Sequence, residues 1–326
     1  MLYYLYLAIG LFVALTATTV QSFIGNWFWP WAVLLCTLLV FDICVLVHIA
    51  ICTFLSFFVN LNKPIHRQNR FFYGILAETA ALFLKIMRVR IKVTGRDFIP
   101  EDGKFLLVCN HISWLDPAIA IVLLRRYHIA FISRKENYSY PIANKYLYKA
   151  ACLALDRENN REALKTINKA AEFLKSGVCS IGIYPEGWIT KTGELQEFRH
   201  GAFRIAKKGE APVMVVHLSG AERILKKPFW RSCTVNFDIK GIIPKEFVEE
   251  HKTNEISDLA REIMLSWFFC RNKKAVPGQE RLFYFIRVLR ITSFQAPHGN
   301  ARRYFCLYKL QFRRRCRRKC KQAHIF

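Results

Sequence analysis

From Leu2 to Phe23, and again from Trp31 to Val59, the chain is almost unbroken apolar, with no Lys or Arg in either run. Each run reaches the roughly 20 residues that a helix needs to cross a bilayer, so the pattern predicts a membrane-embedded helical hairpin over residues 1–60. Trp27, Trp29 and Trp31 cluster between the runs, where indole rings favour the headgroup boundary, and this sets the turn at the far membrane face. The leading residues Leu2-Tyr3-Tyr4-Leu5 carry no positive charge, which argues against a cleaved signal peptide. Asp42 and His48 interrupt the second run; on a helix they face different ways, and packing within the hairpin is the simpler reading of them.

Beyond the hairpin the periodicity changes. Phe71 to Met87 is apolar and long enough for a helix that lies along a membrane or covers a sheet. Val89, Ile91 and Val93 then alternate with Arg90 and Lys92, the period-two signature of a half-exposed strand. Short runs at 105–109, 129–133, 151–155, 178–184, 211–218 and 233–239 are mostly continuous rather than alternating, as in strands covered on both faces. Between them Asn160 to Ser176 is the clearest helix. Ala163, Leu164, Ile167, Ala170, Ala171 and Leu174 make its apolar stripe, Asn159 and Glu162 form a capping-box pattern, and Gly177 closes it. Strands alternating with helices predict an α/β domain over residues 61–270. Residues 271–326 lose this order and read as a basic appendage.

The net charge of +25 is concentrated in that appendage, which holds sixteen Lys or Arg against one acidic residue, Glu280. Its run Arg313-Arg314-Arg315-Cys316-Arg317-Arg318-Lys319 suits nucleic acid in principle, but beside a membrane hairpin anionic phospholipid headgroups are the partner that needs fewer assumptions. Lys63, Arg67, Arg70, Lys85, Arg88 and Arg90 all follow the second apolar run and none precedes it, which turns the remainder of the chain toward the cytoplasm from an inner or endomembrane. The eleven cysteines are odd in number, with no C-x-x-C pair, and read as reduced thiols. Cys316, Cys320 and His324 would share one helix face, yet their cationic neighbours would repel a dication, so no metal site is expected.

Candidate chemistry lies at strand ends. Asn110-His111-Ile112-Ser113-Trp114-Leu115-Asp116-Pro117 follows the run 105–109; a histidine there, with a carboxylate five residues on, provides a general base and the group that orients it. Asp116 before Pro117 also reads as a helix N-cap, and the two readings are compatible. Further on come Ala154-Leu155-Asp156-Arg157, Tyr184-Pro185-Glu186-Gly187, Phe198-Arg199-His200-Gly201-Ala202, and the run from Ala211 to Gly220 containing Pro212. Taken singly, Asp156 and Arg157 read as a surface ion pair, and Pro185 with Gly187 as turn formers.

In this order and spacing the blocks resemble the glycerolipid acyltransferases, the family containing 1-acylglycerol-3-phosphate O-acyltransferase, over roughly residues 80–240. That family carries N-H-x-x-x-x-D, a hydrophobic block ending in arginine, F-P-E-G, and a hydrophobic block with proline. The resemblance implies a mixed central sheet flanked by helices, as in glycerol-3-phosphate acyltransferase. It also implies transfer of a fatty acyl group to the free hydroxyl of a lysophospholipid, with lysophosphatidate the leading acceptor. Acyl-CoA or acyl carrier protein would be the co-substrate, and no cofactor is needed. By the same resemblance His111 is the base and Asp116 its orienting partner, Asn110 belongs to the substrate-binding set, Arg157 takes the acceptor's phosphate, and Glu186 and Gly187 lie on the acceptor side. Where the family continues Thr-Arg-Ser, this chain has Trp188-Ile189-Thr190, so Lys191 or Arg199 must replace the missing arginine, or the headgroup differs. Val215 stands where a second proline is common, which bears on loop shape. Lysophosphatidylglycerol or a lyso-aminolipid therefore stay open as acceptors. The reading from a different class is a non-catalytic membrane protein whose basic tail binds anionic lipid.

Overall fold

The structure is a computed structural model that describes residues 1–22, 29–100, 103–190, 194–228 and 230–271. Trp27, Lys191 and the basic tail, with Cys316, Cys320 and His324, lie outside the described residues. Met1–Ser266 forms one compact unit, and the chain from Trp267 belongs to a second.

The two apolar runs fold as helices α1 (Leu2–Ser22) and α2 (Trp29–Phe57), packed side by side. Gly10 makes this approach possible: a Cβ there would lie 2.8 Å from the Thr37 carbonyl oxygen. Tyr3 and Tyr6 meet Phe41 edge-on, while Leu35, Leu39, Leu46 and Phe54 of α2 point outward and are exposed. Val33–Phe57 is long and apolar enough to cross a membrane, and α1 carries no charged residue along its 21 residues. Helix α3 (Arg70–Ile86) begins where the Asn69 side chain accepts the backbone N–H groups of Phe71 and Phe72, and it buries Tyr73, Ala77, Leu82 and Leu84. His48 of α2 is tied to it through Nε2 and the Thr79 hydroxyl at 2.9 Å, so this intramembrane candidate is a packing contact.

Seven strands build the core: β1 (Val89–Thr94), β2 (Leu106–Cys109), β3 (Ala130–Arg134), β4 (Leu153–Leu155), β5 (Ile181–Ile183), β6 (Val213–Ser219) and β7 (Cys233–Ile243), ordered β1-β7-β6-β2-β5-β3-β4. The β6–β7 pair is antiparallel and every other pair parallel, so the sheet is mixed. Helices α4 (Asp116–Leu123), α5 (Ala143–Lys149), α6 (Asn160–Lys175), α7 (Arg204–Gly209), α8 (Lys245–Glu250) and α9 (Thr253–Arg271) complete the described elements. All of β2 is buried, as its unbroken apolar run requires.

Two strands are shorter than their apolar runs, for local reasons. Val178 donates its N–H to the Phe173 carbonyl and Gly177, at φ +71°, donates to Leu174, so residues 177–178 close α6 in a Schellman motif instead of entering β5. Ala151, at φ +61°, and Cys152, bonded back to Leu147, turn the chain before β4 can start. The capping box of α6 is half realised. Asn159 accepts from Arg161 and Glu162, but its own N–H goes to Asp156, and Glu162 turns to Lys165. Leu164, expected in the buried stripe, is exposed.

Because β2, β3, β4, β5 and β6 run parallel, their C-terminal ends share one edge of the sheet, where ligands bind in open α/β sheets. The loops after β2, β3, β4 and β5 carry the residues of interest.

Candidate active site

At the end of β2 the chain turns sharply, and the turn folds over one carboxylate. Asp116 Oδ2 accepts from His111 Nδ1 at 2.9 Å and from the backbone N–H groups of Ile112 and Ser113 at 2.8 Å each. Asp116 is therefore not the N-cap that its position before proline suggests: it is the first residue of α4, with Leu115 at the cap, and its carboxylate faces backward into the turn rather than forward onto the helix. Its side chain is wholly buried, while that of His111 keeps 18% of its surface. Burial pushes the Asp116 carboxyl above its ordinary value, and the hydrogen bonds from His111, Ser113 and Ile112 pull it partly back. With Nδ1–H fixed on Asp116, the other ring nitrogen, Nε2, is left as the basic atom.

The backbone of His111 is held from the β5 side. Glu186 Oε1 accepts the His111 N–H at 3.0 Å, and the His111 carbonyl accepts the Thr190 N–H at 2.8 Å. The other oxygen, Oε2, takes the Thr190 hydroxyl at 2.8 Å and the Gln196 N–H at 3.0 Å. Glu186 is thus a buried brace with both oxygens committed to protein donors. In Glu186→Gln, one of those donors must face an NH2 group instead. A fall in stability of about 1–3 kcal/mol is expected, read as a shift of the denaturant midpoint at unchanged slope.

Asn110 is a staple in the same sense: its amide donates to the Leu218 carbonyl at 3.0 Å and accepts the Leu218 N–H at 2.7 Å, pinning the end of β2 to β6. The resemblance assigns it to the substrate-binding set; in the structure both ends of its amide serve the backbone. Gly187 adopts φ +88°, and a Cβ there would stand 3.1 Å from Arg199 Nε, so the residue is glycine for conformation and for space. Arg199 crosses this turn; its N–H bonds the Pro185 carbonyl at 3.0 Å and its guanidinium lies 5.4 Å from the Trp188 ring centre.

Arg157 does not pair with its neighbour. Asp156 bonds Lys135 at 3.2 Å, whereas Arg157 is half-buried, with its guanidinium held below its ordinary value by burial, then by Arg134 and Arg199. Among the described residues none of these three arginines forms an ion pair, so the sheet edge gathers positive charge with no carboxylate bonded to it. Arg134 is the member that motif reading misses; its signal is a charged residue ending the apolar run before the 3₁₀ turn Lys135–Ser139, the same strand-end setting as His111. The arrangement sets a partly open imidazole, bonded to a buried carboxylate, at the same sheet edge as these arginines.

Residues 90–219 match the acyltransferase family model. The 1-acyl-sn-glycerol-3-phosphate acyltransferase of Bacillus subtilis is 30% identical over 148 residues, covering 45% of this chain and 71% of that protein. The Saccharomyces cerevisiae enzyme of the same name is 25% identical over 221 residues, covering 60% and 71%. A Caenorhabditis elegans relative, 25% identical, is matched over 64% of its length, so the chain spans about two thirds of these relatives. In fold the chain is similar to the crystal structure of the 1-acyl-sn-glycerophosphate acyltransferase of Thermotoga maritima, with a TM-score of 0.52 and 21% identity, covering 70% of this chain and 90% of that one. With the sheet, the strand-end turn and these matches in agreement, the chain belongs to the acyltransferase family that includes the 1-acyl-sn-glycerol-3-phosphate acyltransferases.

Proposed function

We propose that this protein transfers a fatty acyl group from an acyl thioester to the free hydroxyl of a lysophospholipid, with lysophosphatidate the leading acceptor and phosphatidate the product. The observation that carries this reading is the His111–Asp116 contact at 2.9 Å on a partly open imidazole, at a sheet edge furnished with arginines that form no ion pair. His111 Nε2 takes the proton as the acceptor oxygen attacks the thioester carbonyl carbon. The C–S bond then breaks and the sulfur leaves as a thiol after gaining a proton. Asp116 holds the ring and offsets the charge of the imidazolium. Arg157, with Arg134 and Arg199 near it, grips the acceptor phosphate through paired N–H bonds. Acyl-CoA or acyl carrier protein supplies the acyl group.

A bilayer setting suits these substrates, since both the acceptor and the acyl chain partition there. The exposed indoles of Trp114 and Trp188, beside His111 and Gly187 in sequence, fit a mouth at the headgroup boundary, and Val33–Phe57 serves as anchor. The cations that follow α2 favour the cytoplasmic side of that membrane for the sheet. Ile189, in the position where the family pattern has arginine, favours a second reading in which another lysolipid, such as lysophosphatidylglycerol, is preferred.

The full chain in vesicles, offered labelled acyl-CoA or acyl carrier protein and a panel of lysolipids, decides among these acceptors by the lipid formed. Arg157→Ala is expected to raise KM for a phosphate-bearing acceptor by roughly 10- to 100-fold, corresponding to loss of a charge-assisted bidentate contact, with KM for the acyl donor unchanged. Equal KM values in the two proteins contradict the phosphate assignment, and no product from any lysolipid contradicts the function.

A further inference from the structure

Three aromatic rings form a layered group whose last member is the imidazole of His111. The Tyr184 ring stacks on His111 with centroids 4.1 Å apart and planes 19° from parallel, and Phe131 lies against Tyr184 at 5.5 Å and 11°. The group is fixed from below. Phe131 of β3 is the strand partner of Gly182, and its ring fills the space over that glycine so closely that a Cβ at 182 would stand 2.4 Å from it. Tyr184 itself is buried, and its hydroxyl has no hydrogen-bond partner. Burial, then the Asp116 charge and Cys109, push the phenol up, so the ring meets His111 as a neutral aromatic. What Tyr184 offers His111 is therefore its face. The hydroxyl is idle.

We infer that Tyr184 is a positioning residue for the acyl transfer: its π-face holds the His111 ring against rotation and stabilises the imidazolium that exists only once the acceptor's proton has been taken. A cation over an aromatic face within about 6 Å is attracted by the ring quadrupole, and an interaction that strengthens on going to the transition state raises kcat rather than lowering KM. Tyr184 stands where the F-P-E-G pattern has phenylalanine, which agrees with a part played by the ring alone. The inference rests on His111 acting as the base. The other titratable groups bonded to His111 are the Asp116 carboxylate from α4 and the Glu186 carboxylate from the loop after β5; the buried Cys109 thiol at the end of β2 lies near both carboxylates, with Arg157 and Arg199 at the same sheet edge.

The test uses the full chain in vesicles with acyl-CoA and whichever lysolipid the wild type acylates. Tyr184→Phe is expected to keep kcat within about 3-fold and to melt no lower than wild type, since it only deletes an unpartnered hydroxyl. Tyr184→Leu is expected to lose roughly 10- to 30-fold in kcat at unchanged KM. Because leucine alters shape, a second series places phenylalanine, trifluorophenylalanine and pentafluorophenylalanine at 184, keeping the ring while draining its face of charge. A stepwise fall in kcat along the series, with the acid limb of the pH–rate profile moving to lower pH, is the expected result, because a base that loses a partner for its cation binds its proton less tightly. A flat kcat and an unmoved acid limb across the fluorinated series overturn the inference even if the leucine variant is slow or fails to fold. A wild type insensitive to His111→Ala overturns the base assignment beneath it, so the two failures are distinguishable.

Discussion

Exchanging His111 for alanine is expected to lower kcat by roughly 10²- to 10⁴-fold, the usual contribution of a positioned general base, while the chain stays folded. The two halves of this expectation have separate origins. Of the pair only the imidazole is partly open, with Asp116 on Nδ1; in the proposed reaction Nε2 is left for the acceptor, so its loss removes the proton acceptor at the reacting oxygen. The turn itself survives, because Asp116 Oδ2 still holds the N–H groups of Ile112 and Ser113, and Glu186 still holds the N–H of residue 111. Thiol release with the preferred lysolipid, beside a thermal melt of the same preparation, checks both. Wild-type turnover in a folded His111→Ala protein contradicts the assignment.

Asp116→Asn should be nearly as damaging to transfer and yet gain in relative stability as pH rises. An asparagine that keeps its oxygen in the place of Oδ2 still accepts from His111, Ile112 and Ser113, but its NH2 is then buried where Oδ1 has no hydrogen-bond partner, and it lacks the charge that offsets the imidazolium. A fall in kcat of roughly 10²- to 10⁴-fold follows. The stability change has the opposite sense. The folded-state value of the Asp116 carboxyl is raised, chiefly by burial, so between the ordinary carboxylate value and that raised value the folded chain binds more protons than the unfolded one. Stability of the wild type therefore falls as pH climbs through that window and is flat above it. Asparagine does not ionise, so the melting temperature of the variant relative to wild type should improve from acid pH to neutrality. A difference that stays constant, or that moves against the variant, contradicts a raised Asp116.

What can be read from the chain follows the distance over which each feature is assembled. The His111–Asp116 pair lies within one turn, and its residue types disclose it. The direction of Asp116 is hidden, because a cap and a backward-facing carboxylate look alike before a proline. Asn110 and Glu186 depend on partners at Leu218, Thr190 and Gln196, and only the folded sheet shows that the amide and the carboxylate serve as braces. The arginines at 134, 157 and 199 come from the end of β3 and the loops after β4 and β5, and nothing local in the sequence says that they meet. Strand existence is legible from the apolar runs. Strand ends are not, since the α6 Schellman closure and the turn at Ala151 use apolar residues to stop the chain rather than extend it.

Activation of the acceptor hydroxyl for direct attack is tested most directly by mixing the full chain, at substrate-level concentration, with acyl-CoA in the absence of any lysolipid. In the proposed reaction His111 removes a proton and forms no bond to the acyl carbon, so no burst of thiol and no acylated protein should form until lysophosphatidate is added, whereupon thiol and phosphatidate rise together. A burst matching the protein concentration, with the acyl group found on the chain by mass spectrometry, would contradict it.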